Sequence, residues 1–198
     1  NGKPAKLASA QDVKTLIQHG NHAFKAMILL GINCGYGNTD ISNLAFSNID
    51  FQTDSVELPR QKTGEPRKAM LWPETTAALN TWRDNRPEPA DPLNADVVFL
   101  TSTGTTFKPD RNTNPITREF TRLKNRSKLN RPGLSFYSLR HTFQTMADNL
   151  TLDFVGVKSI MGHVDNSISG NYRHLITDER LQKISDAVRG WLFEEAGK

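Results

Sequence analysis

A chain of 198 residues, 36% hydrophobic and 23% charged, is long enough to bury a substantial core within one ordinary domain. Its pI of about 9.3 and net charge of +4 permit an acidic partner without requiring one. A single cysteine, Cys34, excludes an intramolecular disulfide, and no apolar run approaches the roughly 20 residues of a membrane helix.

In chain order, residues 1–6 open on Asn1-Gly2-Lys3-Pro4 without an initiator Met or a signal peptide, as a linker remnant of a longer protein would. Ser9 has the character of an N-cap for a helix through Ile17, with Val13, Leu16 and Ile17 on one side. Residues 23–32 form a strongly apolar helix, and Cys34 just beyond it is expected to be buried. A glycine-rich turn, Cys34-Gly35-Tyr36-Gly37-Asn38-Thr39-Asp40, leads into a short helix. Residues 48–71 read as a small antiparallel sheet. Ile49 and Phe51 precede a turn at Thr53-Asp54, Val56 and Leu58 return, and residues 69–71 offer a third strand beyond Lys62-Thr63-Gly64.

Pro73 suits the first turn of a helix with Thr75, Leu79 and Trp82 on one face, ended by Arg86-Pro87. A loop at 91–94, a short buried strand at 97–100 and a surface loop at 101–113 follow. Pro115 begins a helix with Ile116, Phe120 and Leu123 inward. Arg118, Arg122, Lys124, Arg126 and Lys128 spread over its outer side and end, suited to phosphates rather than base edges. Charge is concentrated here: between Lys108 and Arg140 nine lysines and arginines stand against Asp110 and Glu119 alone. A helix over 135–150 buries Leu139, Phe143 and Met146 and leaves Arg140 off that side near its start, where amide groups favour a phosphate. Thr151 is expected to cap a helix through Met161 with Phe154, Val157 and Met161 inward, ended by Gly162. Thr177 or Asp178 starts the last helix, about 178–195, with Leu181, Ile184, Val188 and Leu192 on one stripe.

Chemistry is concentrated between Ser135 and Tyr172. Leu139-Arg140-His141-Thr142-Phe143 comes first, then Met161-Gly162-His163, then Tyr172 nine residues after that histidine. Arginine clamps non-bridging oxygens with a fixed fork, histidine adds a donor, and a tyrosine oxygen can form a covalent intermediate. In order and spacing these fragments resemble the catalytic domain of the tyrosine recombinase (phage integrase-type) family, over about residues 7–188. The resemblance implies an α+β, mainly helical fold with a small three-stranded antiparallel sheet, and an N-terminal core-binding domain that is absent from this chain. It also implies strand cleavage through a 3′-phosphotyrosine without metal or nucleotide cofactor. Double-stranded DNA is the implied partner, bound by a cytoplasmic, nucleoid-associated protein that is monomeric alone and tetrameric in the synapse.

Carried over position by position, the resemblance makes Tyr172 the nucleophile, whose phenol, ordinarily near pKa 10, needs help to lose its proton. Arg140 and His163 hold the phosphate, Lys62 protonates the leaving 5′ oxygen, and His141 and Asp40 support the site. Lys62 read alone is a solvated hairpin lysine, and only the resemblance gives it a role; His141 is equally a structural histidine. Arg67 and Lys68 are expected on the DNA backbone. Two positions depart from the pattern: the first catalytic arginine falls on Gly37, and the first histidine of His-x-x-Arg falls on Tyr137, a neutral donor. No arginine lies between Asn1 and Pro59 to repair the first. Losing such a clamp costs on the order of 10²–10⁵ in rate. A recombinase with a replacement cation therefore competes with a DNA-binding protein that has lost cleavage, and more remotely with a relaxing topoisomerase of the type IB class. The last helix packs on its own core or, on DNA, exchanges with a neighbouring protomer.

Overall fold

The computed structural model describes residues 7–109, 113–129, 131–163 and 176–194. Eight α-helices and three short strands are assigned among them. They are α1 Ala10–His19, α2 His22–Cys34, α3 Asn38–Asn43, β1 Ile49–Asp50, β2 Ser55–Glu57, β3 Lys68–Met70, α4 Pro73–Asn85, α5 Pro115–Arg126, α6 Tyr137–Thr151, α7 Phe154–Met161 and α8 Asp178–Phe193. The strands pair antiparallel in the order β1-β2-β3, with Ile49 opposite Val56 and Val56 opposite Ala69.

Helix α2 is apolar on every side, so it can only be stable at the centre. From Ala23 to Cys34 it is buried apart from Lys25, and it packs against α1, α4 and α6. Its N-cap Asn21 accepts from the Phe24 amide at 2.9 Å. One buried amide fastens its far end. Asn33 donates to the Met70 carbonyl (2.9 Å) and Ser185 Oγ (3.0 Å), and accepts from the Trp72 amide (2.8 Å) and Thr75 Oγ1 (2.9 Å). All its hydrogen-bonding capacity is used, and it ties α2 to β3, α4 and α8 at once. Helix α8 packs on its own chain, against α6, α7, β3 and α1. Arg180 on Asp153 and Arg189 on Glu74 anchor its two ends as forked pairs. Among the described residues no helix is long and apolar enough to cross a membrane.

Several expected boundaries move. Helix α1 continues to His19, where Gly20 stops it. The third strand is Lys68–Met70, one residue earlier than expected, in the register that pairs Ser55 with Met70. The segment 97–100, buried from Val98 onward, is no strand. It makes only isolated bridges from Val97 to Ala45 and from Leu100 to Thr106, because side chains take its carbonyls: Trp82 Nε1 that of Val98 (2.7 Å), Arg86 that of Val97 (2.8 Å). Thr151 ends α6, its hydroxyl bonded back to the Ala147 carbonyl, and Asp153 caps α7 instead. Phe154, expected inward, is 54% exposed, since the buried stripe of α7 begins at Gly156 and Val157. Asn33→Ala, which strands the buried Trp72 amide, is expected to lower stability by about 2–4 kcal/mol. A loss below about 1 kcal/mol in urea unfolding would contradict this account of the core.

Candidate active site

Four segments distant in sequence meet here: the 35–40 turn, the hairpin between β2 and β3, the start of α6 and the end of α7. Gly35 ends α2 in the left-handed region (φ 65°), and a Cβ there would lie 2.5 Å from Met161 Sδ. Backbone and space both demand glycine. Gly162 ends α7 in the same way (φ 63°). Each terminus turns a carbonyl toward Arg140: Nη1 donates to Gly35 O at 2.5 Å and Nη2 to Met161 O at 2.9 Å. Helix carboxyl ends are partially negative, so this is where a buried cation is tolerated. Arg140 is only 4% exposed. Burial pushes its guanidinium below the usual arginine value, and the nearby Asp40 charge opposes that shift.

Asp40 sits in the first turn of α3. Its Oδ2 accepts from the Gly37 amide at 2.8 Å and lies 3.9 Å from Arg140 Nη1, while Oδ1 accepts from Arg67 Nη2. Arg67 also donates through Nε to the Leu58 carbonyl (2.7 Å) and stacks 4.6 Å from the Tyr36 ring centre. His163 follows Gly162, its Nε2 3.5 Å from Arg140 Nη2. Burial first, then the charges of Arg140, Arg60 and Lys158, lower its pKa below the ordinary 6.5, so at neutral pH the ring is uncharged. Tyr137 is half-exposed and lies over Gly37, with His141 edge-on at 5.0 Å. Lys62 is exposed in the hairpin. A cleft of about 180 Å³ is lined by Lys62 together with Gly37, Asp40, Arg60, Tyr137 and Arg140. That is below the roughly 300–1,000 Å³ of small-molecule pockets and suits a single phosphate group.

Arg140, His163, Lys62, Tyr137, His141, Asp40 and Gly37, scattered in sequence, are thus brought together. Tyr172 lies outside the described residues. Arg67 departs from its expected place on DNA: it is 4% exposed and spent on Asp40 and Leu58. Lys68 is also engaged within the chain, its ammonium on Asp178 at 2.8 Å. On α5, Lys124 donates to the Leu134 carbonyl (2.6 Å), and Glu119 pairs with Arg122 and, at 3.8 Å, with Arg118; Arg118, Arg122, Arg126 and Lys128 are all exposed. Two participants escaped the sequence reading. Arg60, the first arginine in the chain, sits two residues before Lys62, and that position was its only signal. Asn38 bridges to α5 through Asn114 Oδ1 (3.1 Å) and Thr117 Oγ1 (3.0 Å), which brings the basic helix beside the cleft. Among the described residues no group of three His, Cys, Asp or Glu is placed to hold a metal ion.

The family model described as "Phage integrase family" matches residues 7–179. Prophage integrase IntF of Escherichia coli (strain K12) is 25% identical over 170 residues, which is 82% of this chain and 33% of IntF, so the chain spans about a third of that relative's length. Among solved structures, XerA recombinase superposes with a TM-score of 0.69 at 21% identity, covering 96% of this chain and 67% of XerA. The Tn1549 transposon integrase in complex with circular intermediate DNA gives 0.67 at 18% identity, covering 92% and 65%. At such identities the superpositions show the fold.

Two outcomes follow from the geometry. Asp40→Ala, which leaves two buried guanidinium groups without their carboxylate, should cost about 3–5 kcal/mol in thermal or urea unfolding. A loss under about 1 kcal/mol would contradict the arrangement. NMR titration of His163 should give a midpoint below 6.5. The unfolded chain takes up this proton at higher pH than the folded chain, so this residue's contribution to stability declines as pH falls below about 6.5. A midpoint above 6.5 would contradict the burial and the positive surroundings.

Proposed function

We propose a function from one premise: the chain belongs to the phage integrase family. On that footing it is the catalytic part of a site-specific DNA recombinase that cuts and rejoins double-stranded DNA. One observation carries this reading. Arg67 and Arg140 are buried around a single carboxylate, Asp40, with Arg60 and Lys62 at the same cleft, so positive charge is in excess where water is scarce. A buried excess of this kind is stabilised by an anion, and a phosphodiester is the anion this family handles.

The Tyr172 oxygen would attack phosphorus as its phenolic proton passes to a group of the site or to the phosphate, forming a phosphotyrosine bond as the bond to the 5′ oxygen breaks. Lys62 would give that oxygen a proton, and Arg140 with the neutral His163 would hold the non-bridging oxygens. Rejoining reverses these steps, so no external energy source enters. Arg118, Arg126 and Lys128 would follow the DNA backbone. That the Tn1549 integrase is known in complex with DNA supports this choice of partner. Self-association on DNA belongs to the same reading, with α8 free to stay on its own chain or to exchange. A second reading, a DNA-binding protein that no longer cleaves, has Gly37 in its favour, because that position contributes no guanidinium.

Duplexes with a nick beside randomised sequence separate the two. Incubation should leave a detergent-resistant DNA adduct, and sequencing the trapped DNA identifies the site. Tyr172→Phe should abolish the adduct while keeping DNA affinity, and Arg140→Ala should slow its formation on the order of 10²–10³-fold. Binding without any adduct from the unaltered chain would instead establish the non-cleaving reading.

A further inference from the structure

The chain contains no arginine before Arg60, and Gly37 gives the cleft no side chain. Space accounts for the second fact. An ideal Cβ on Gly37 would lie 3.0 Å from Cε2 and 3.1 Å from Cδ2 of Tyr137. The Tyr137 ring therefore fills the volume through which a side chain at 37 would grow. Arg140 alone is poorly provided to neutralise a phosphodiester in the transition state. Both of its terminal nitrogens already give a hydrogen to the carbonyls of Gly35 and Met161. Charge on a five-coordinate phosphorus sits on two non-bridging oxygens, and a partly occupied guanidinium cannot chelate both.

Arg60 has the position and the freedom to complete the clamp. It stands half-buried in the β2–β3 hairpin on the wall of the cleft that also holds Gly37, Lys62 and Arg140. Its stem packs across Gly162, where an added Cβ would meet Arg60 Cβ at 3.0 Å and Cδ at 3.3 Å. The glycine that ends α7 is thus also what lets this arginine approach His163. At its head, Nη1 donates to the Gly162 carbonyl at 3.2 Å, a single neutral acceptor. Among the described residues no carboxylate pairs with it. Resting on the function proposed above, we infer that Arg60 is a catalytic residue, the second guanidinium on the scissile phosphate, in place of the side chain that Gly37 lacks. On phosphate entry its head exchanges one long bond to a carbonyl for charge-assisted bonds to an anionic oxygen, which favours the exchange.

The test uses Arg60→Gln, which removes the charge and the guanidinium and leaves a shorter, neutral polar side chain, with Arg60→Lys as a second variant that keeps the charge without the fork. On the nicked duplex recovered with the unaltered chain, Arg60→Gln should form the adduct slower on the order of 10²–10³-fold, and Arg60→Lys should fall between the two. DNA affinity should change less than about tenfold, since one phosphate contact among many is lost. Separately, the His163 ring resonances are followed as millimolar inorganic phosphate is added: they should move in the unaltered chain and stay still in Arg60→Gln. Adduct formation by Arg60→Gln at the unaltered rate would overturn the assignment and leave the recombinase reading standing. A phosphate response that depends on Arg60, with no adduct from any form, would keep the clamp and sink cleavage. An equal response in both forms, or none in either, would overturn the clamp.

Discussion

One carboxylate, Asp40, stands between two buried guanidinium groups, and the site takes its shape and its charge from that arrangement. Through Arg67 it ties α3 to the β2–β3 hairpin, and through its proximity to Arg140 it steadies α6 against the ends of α2 and α7. A surface pair of this kind would contribute little, because water screens it. Buried, the same three groups are coupled strongly, and one negative charge cannot balance two positive ones. Position and imbalance arise together. The contacts that fix Arg140 in place are also what leave the cleft in need of an anion.

Helix ends supply most of the site. Arg140 is braced by carbonyls at the ends of α2 and α7, and each end is closed by a glycine in the left-handed region. His163 enters immediately after the second of these glycines, where burial and its cationic neighbours keep the ring neutral. A neutral imidazole can donate to a phosphate without deepening the local excess of charge. The hairpin contributes Lys62 and Arg60 from the opposite side of the sequence. Behind them α2 and the Asn33 network form a rigid platform, so the four segments meet on fixed supports.

Much of this was legible in the amino-acid order. The apolar run of α2, the caps at Ser9 and Thr177, the proline starts of α4 and α5 and the spacing of Arg140, His163 and Tyr172 announce themselves through local chemistry. Other features depend on partners that the order does not reveal. Arg67 and Arg60 are both basic residues of one hairpin, yet Asp40 draws the first inside and Gly162 receives the second at the cleft wall. Residues 97–100 have strand composition but no strand beside them, so Trp82 and Arg86 take their carbonyls. Phe154 has the right spacing to be buried and lies where α7 has not yet reached the core. The meaning of Gly37 changes most: as sequence it is a missing arginine, and in space it is room occupied by Tyr137.

The central claim is that this cleft receives the phosphate of a DNA strand. A crystal structure of the chain on a nicked duplex tests it most directly. The account predicts the phosphate beside the nick within hydrogen-bond reach of Arg140, His163 and Arg60, with the Arg60 head moved off the Gly162 carbonyl. A phosphate seated elsewhere, with both guanidinium groups still committed to their carbonyls, would contradict it.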